Sequence, residues 1–193
     1  MAVQPQNNIF GDEHLLEERN RLRMLLDFDS SVNEAFFATR VCLVEGDCEI
    51  AALEAFSKKL IRDGEIDETK YLYARRDVTI IGCQGKGTIP GFQRVLNVFE
   101  IPYLVIHDED GSESSATNAR ILNALAGDES RCLLHRPNFD IEIFNSSWKN
   151  DKPWRATEAI LNGSSNMAAF DRPKLEKFFE FVLGKSIRDL SRT

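Results

Sequence analysis

The sequence is poor in the residues that mark secreted or zinc-stapled domains. Among 193 residues there are four cysteines, three histidines, three methionines and two tryptophans. Cys42, Cys48, Cys83 and Cys132 lack the paired spacing of a zinc site. Cys42, Cys83 and Cys132 fall in or beside apolar runs and are expected to pack as small hydrophobes. No apolar run approaches the length of a membrane span. The start, Met1-Ala2-Val3-Gln4-Pro5-Gln6, has no basic segment followed by an apolar core, so a secretory signal is not expected. A reducing cytoplasm is the expected setting. No internal repeat is present.

Positive charge is also scarce. Lys and Arg number 24 against 31 Asp and Glu, a net charge of −7, which counts against broad affinity for polyanions. The basic residues cluster locally, as Lys58, Lys59 and Arg62, then Lys70, Arg75 and Arg76. Such clusters are either solvated faces or patches that contact a phosphate backbone. A phosphate-binding nucleotide loop is missing too. The run from Gly82 to Thr88 does not satisfy G-x-x-x-x-G-K-[ST], so nucleotide hydrolysis is excluded there.

What is present is a chain organised around Val41-Cys42-Leu43-Val44-Glu45-Gly46-Asp47-Cys48-Glu49. An apolar run ends at a carboxylate and a glycine, and a helical pattern with Ile50, Leu53, Phe56 and Leu60 follows. This predicts a strand, a tight turn and a helix. Glu45 would end the strand, and Glu49 would sit in the first helical turn, where the dipole favours an acid. Ile101-Pro102-Tyr103-Leu104-Val105-Ile106-His107-Asp108-Glu109-Asp110-Gly111 is a second apolar strand ending in acids. Alternation along an extended chain would put Asp108 and Asp110 on one side. In a parallel sheet both strands end at one edge, where ligands bind. Four carboxylates gathered there repel unless protons or cations neutralise them. Oxygen ligands of this kind suit Mg²⁺ or Mn²⁺.

The spacing predicts a helix over residues 12–26, a short helix over 30–38, and strands over 40–44, 77–82, from 101 into the acids at 108–110, and 132–134. Helices are expected from the Glu45-Gly46 turn to about 62, over 89–99, after the polar loop 112–115 through Leu125, over 152–160 and from 172 onward, with residues 1–10 frayed and 63–76 a polar linker. Strand and helix alternate, so a mostly parallel four-stranded α/β sheet with helices on both faces is expected, with additional helices at the C-terminus. Residues 1–38 would be a helical lead-in and 39–193 one domain. His107 and His135 fall at strand ends near the acids and are expected to be hydrogen-bonded framework residues, with a metal ligand or base as the alternative. Trp154 is expected in the core.

Glu45-Gly46 followed by Asp108-x-Asp110 resembles the TOPRIM domain, the metal-binding module of topoisomerases, bacterial primases and some nucleases. The fuller resemblance is to the TOPRIM nuclease domain of the OLD (overcoming lysogenization defect) family. It is carried by Phe37-Ala38, Leu43-Val44-Glu45-Gly46, Glu49, Gly85-Lys86-Gly87, Ile101-Pro102-Tyr103 and Lys152-Pro153, and covers roughly residues 34–183. The family places a small polar residue and an acid near residue 140. Here the match is Asn138 and Asp140, with Glu142 the alternative acid, because the family's acid is more often Glu.

The resemblance implies a metal-dependent DNA endonuclease using two Mg²⁺ or Mn²⁺ ions. Glu45, Glu49 and Asp140 would mainly hold one ion, and Asp108 and Asp110 the other. Lys152 would stabilise charge in the transition state. Lys86, Lys58 and Lys59 would contact DNA; for Lys86 the alternative is a solvated lysine in a glycine turn. OLD-type proteins carry an ATPase domain before this one, so such a domain in a longer parent chain is an implied partner, and no membrane is. A non-catalytic TOPRIM module for binding or dimerisation is the rival reading, and the intact acids count against it. A primase or topoisomerase fragment fits less well: companion domains are missing, and Tyr71, Tyr73 and Tyr103 are not placed as a nucleophile.

Overall fold

Four short apolar stretches make the sheet. In a computed structural model, which describes residues 10–11, 15–28, 30–163 and 169–192, they are β1 (Val41–Val44), β2 (Thr79–Gly82), β3 (Tyr103–Asp108) and β4 (Cys132–His135). All pairings are parallel, in the order β2-β1-β3-β4. The register sets Val44 beside both Gly82 and Ile106, so β1, β2 and β3 run out at one edge. Every residue of β1 is buried, as a central parallel strand covered on both faces requires.

Alternation then divides the core in two. Cys42, Val44 and Ile106 face one cluster with α2 (Asp47–Arg62), α3 (Glu68–Arg76), α6 (Phe139–Phe144), α7 (Lys152–Leu161), α8 (Arg172–Leu183) and α9 (Ile187–Leu190). Val41, Leu43 and Val105 face the other, with α1 (Leu16–Phe28), the 3-10 helix Ser30–Phe37, α4 (Ile89–Val98) and α5 (Ser115–Ala124). The first cluster is rich in aromatics: Phe179 meets Phe56 edge-on at 5.7 Å and stacks on Tyr71 at 6.3 Å. The chain is thus a four-stranded parallel α/β sheet with helices on both faces.

Residues 63–76 are not a linker. Asp67 caps α3 by accepting from the Lys70 amide, and Tyr71 is the one buried residue of that helix. One inward side chain in nine residues leaves no apolar period to read. Trp154 is not in the core either. α7 buries Ala156, Ala159 and Ile160, and Trp154 is 57% exposed on another face. Cys42 and Cys83 are fully buried, Cys132 partly so, and all four cysteines are free.

α1 is joined to the domain by a charge cluster. Glu18 is 1% exposed and accepts from Arg94 at 2.8 Å and Arg120 at 3.2 Å, on α4 and α5. Residues 1–9 of the expected frayed terminus lie outside the described residues. Among the described residues no helix is long and apolar enough to cross a membrane.

Candidate functional site

The ends of β1 and β3 place the first two acids. Glu45 follows β1 directly, and Asp108 is the last residue of β3. Glu45 Oε2 accepts from the Asp108 amide at 3.3 Å, which ties the two strand ends together. Gly85 donates its amide to the Glu45 carbonyl at 2.8 Å from φ +109°, a conformation that calls for glycine. Gly46 turns the chain into α2, and Glu49 lies in the first turn, 4% exposed.

These acids open on a cleft of about 430 Å³ that Glu45, Glu49, Asp108, Asp140, Lys149 and Lys152 help to line. Its electrostatics are those of crowded, buried carboxyls. Burial pushes Glu49 up to about 8, with Asp108 and Glu45 adding to the effect. Burial and the Glu45 carboxylate push Asp108 up to about 7. Glu45 is raised mainly by burial.

α6 carries the next acid. Asn138 is spent as its cap, accepting from the Ile141 amide at 2.9 Å. Asp140 is 3% exposed; its Oδ2 lies 2.6 Å from Lys152 Nζ, and its Oδ1 accepts from Cys48 Sγ at 3.6 Å. Glu142 turns elsewhere, to His135 Nδ1 at 3.0 Å and the Arg136 amide at 2.8 Å. Lys152 opens α7. Burial works against its charge, and the Asp140 carboxylate more than offsets this, so its pKa is raised.

Asp110 departs from strand alternation. β3 stops at Asp108, and Asp110 takes φ +53° while its amide donates to the Pro137 carbonyl at 2.8 Å. Its carboxylate therefore faces a neighbouring cleft of about 300 Å³, which Glu45 also lines. There it pairs with Lys86 at 2.7 Å. Lys86 is 7% exposed and also reaches the Glu109 carbonyl at 3.4 Å, so it is neither a solvated lysine nor a free cation on the surface. Lys58 and Lys59 lie in the last turns of α2, roughly 18 Å along the helix from Asp47. Lys59 pairs with Asp63. Neither is brought to the cleft.

His107 and His135 are buried beneath the strand ends. Burial lowers both, His107 to about 4, so both are neutral near pH 7. His107 Nδ1 lies 2.9 Å from the Asp108 carbonyl, and His135 packs edge-on to Phe139. Sequence reasoning passed over Cys48 and Lys149, which also line the cleft. Lys149 stands three residues before Lys152 in a polar stretch, the one signal that pointed to it.

The donor set suits a hard divalent cation in kind, since oxygen ligands from Glu45, Glu49, Asp108 and Asp140 line one cleft and burial raises the pKa of the first three. Among the described residues no three or more His, Cys, Asp or Glu side chains are placed together so as to hold a metal ion as they stand. Lys152 and Lys86 hold Asp140 and Asp110 in ion pairs meanwhile.

Residues 36–110 match the family model described as "Overcoming lysogenization defect protein-like, TOPRIM domain". That stretch contains Glu45, Glu49, Asp108 and Asp110. The chain is also 29% identical over 162 residues to an OLD nuclease of Thermus scotoductus, an alignment covering 74% of this chain and 28% of that protein. It thus spans little more than a quarter of the relative's length.

Proposed function

We propose that this chain, which carries an OLD-like TOPRIM domain, is the nuclease portion of a metal-dependent DNA endonuclease. The observation that carries this reading is the convergence of Glu45, Glu49, Asp108 and Asp140 on one cleft, with the Lys152 ammonium at its side. Glu45, Glu49 and Asp140 would mainly hold one Mg²⁺ or Mn²⁺ ion, and Asp108 a second, which Asp110 would join only on leaving its pair with Lys86. Bound there, two such ions supply an activated water and neutralise charge on the leaving oxygen of a phosphodiester.

The chain's own residues do the positioning. The Asp108 amide holds the Glu45 carboxylate at the strand end, and the Phe139 amide holds Asp108 Oδ1 at 2.8 Å. Asp140 fixes the Lys152 ammonium beside the acids, where it can stabilise negative charge as it builds on the phosphate. Buried His107 and His135 stay neutral and support the strand ends from below. An ATPase domain in the same parent chain is the partner proposed from the OLD resemblance.

Incubation with supercoiled plasmid tests the reading. Nicked or linear product with Mg²⁺ or Mn²⁺, abolished by EDTA and by Asp108→Ala, is the expected result. Plasmid left intact under every metal would overturn it and favour a non-catalytic binding module.

A further inference from the structure

Two exposed side chains beside the cleft have no role in the reading above. Trp154 lies in the first turn of α7, two residues beyond Lys152, and is 57% exposed. Among the described residues its side chain has no ring contact, cation contact or hydrogen bond. Helical side chains lean toward the N-terminus of their helix. For α7 that end, at Lys152 and Pro153, lines the cleft. Lys149 lines the cleft as well, is exposed, and has no ion pair among the described residues.

The loop that carries Lys149 is anchored on both sides. The Trp148 ring lies 4.7 Å from Phe144 and packs on the core. On the other side, Arg155 Nε donates to the Asn150 carbonyl at 3.1 Å. The lysine between them is held beside the acids with its charge uncommitted. A single exposed aromatic is ordinary on a protein surface. An exposed indole one residue beyond cleft-lining Pro153, with an uncommitted ammonium lining the same cleft, is a more specific combination.

We propose that Trp154 and Lys149 grip an unpaired nucleotide of a DNA strand at the cleft mouth, the indole stacking on the base and the ammonium pairing with its phosphate. This rests on the phosphodiester reading of the cleft. Every base has a π-face, so such a grip tolerates any sequence. A base inside a duplex has both faces covered by its neighbours. The grip therefore favours single-stranded or locally opened DNA over intact duplex.

Binding of the full chain to short fluorescein-labelled oligonucleotides, single-stranded and duplex, tests the proposal, in EDTA and again in Ca²⁺. The single strand should quench tryptophan emission, and Trp154→Phe should lose most of that quench while Trp148 continues to emit. Trp154→Ala should weaken single-strand affinity about tenfold or more and duplex affinity far less. Lys149→Ala should reduce the salt slope by about 0.7. Phe99→Ala, an exposed aromatic beyond the far end of α4, should change neither. Undiminished quenching in Trp154→Phe, or equal weakening for single strand and duplex in Trp154→Ala, would overturn the grip even if plasmid is cut. A chain that neither binds nor cuts any DNA would overturn the phosphodiester reading with it.

Discussion

The Lys152 ammonium lies 2.6 Å from the Asp140 carboxylate, linking the first turn of α7 to a nearly buried side chain of α6. A cation at a helix start opposes the helix dipole. The buried carboxylate supplies the compensating charge, so the lysine is held where the dipole alone would disfavour it. The same pair keeps a positive charge next to the acids that would hold metal.

Lys152→Ala should leave DNA and Mn²⁺ binding in place and slow cleavage by on the order of 10²–10³, the usual effect of losing one electrostatic donor. Single-turnover rates beside Mn²⁺ titrations would show the split. A variant that nicks plasmid at the parental rate would remove Lys152 from the chemistry.

Metal uptake should strengthen as the pH rises through about 7 and about 8, where Asp108 and Glu49 give up their protons. The sign for stability is the reverse. These acids are raised above their ordinary 3.8 and 4.5, so the metal-free fold binds protons that the unfolded chain releases. Their contribution is intact below those ordinary values and is lost as the pH climbs to about 7 and about 8. Melting temperature without metal should therefore fall across that interval, and saturating Mn²⁺ should restore it by linkage. Glu45→Ala and Asp108→Ala should show little metal-induced rise and no cleavage.

Charge reversal at Lys58 and Lys59 should leave DNA affinity within about twofold, because these side chains stand roughly 18 Å along α2 from the cleft end of that helix. Fluorescence anisotropy with the double variant checks this. A large loss would mean that DNA crosses the far end of α2 instead.

Replacing Arg94 and Arg120 together by Met should destabilise the domain by about 3–5 kcal/mol, since Glu18 would remain buried without a counter-charge. Changing Glu18 to Met at the same time should recover much of that loss. Urea midpoints for the double and triple variants give the comparison.

The strand-ending acids are legible in the sequence because backbone rules fix them: an apolar run terminates, a glycine turns the chain, and a helix begins. Glu45, Glu49 and Asp108 need nothing more. Asp110 depends on tertiary structure, since its left-handed backbone is set by a hydrogen bond to Pro137, beyond β4. α3 escapes because its buried face is Tyr71 alone, whose stacking partner Phe179 lies on a different helix. Trp154 reads as core by size, yet α7 turns Ala156, Ala159 and Ile160 inward. Lys86 reads as a loop cation, and only the fold shows Asp110 waiting beside it.

β1 and β3 are the inner strands of the sheet, each bonded on both sides, and their amides should be among the last to exchange with deuterium. Glu45 and Asp108 stand at the ends of those strands. Lys149, Lys152 and Trp154 come from the segment between α6 and the first turn of α7, which no strand holds. Glu45 and Asp108 are therefore built into the part of the chain that opens last, and Lys149, Lys152 and Trp154 are carried on a piece outside the sheet. Exchanging residues 145–155 between relatives should re-aim the DNA while leaving the acids where they are.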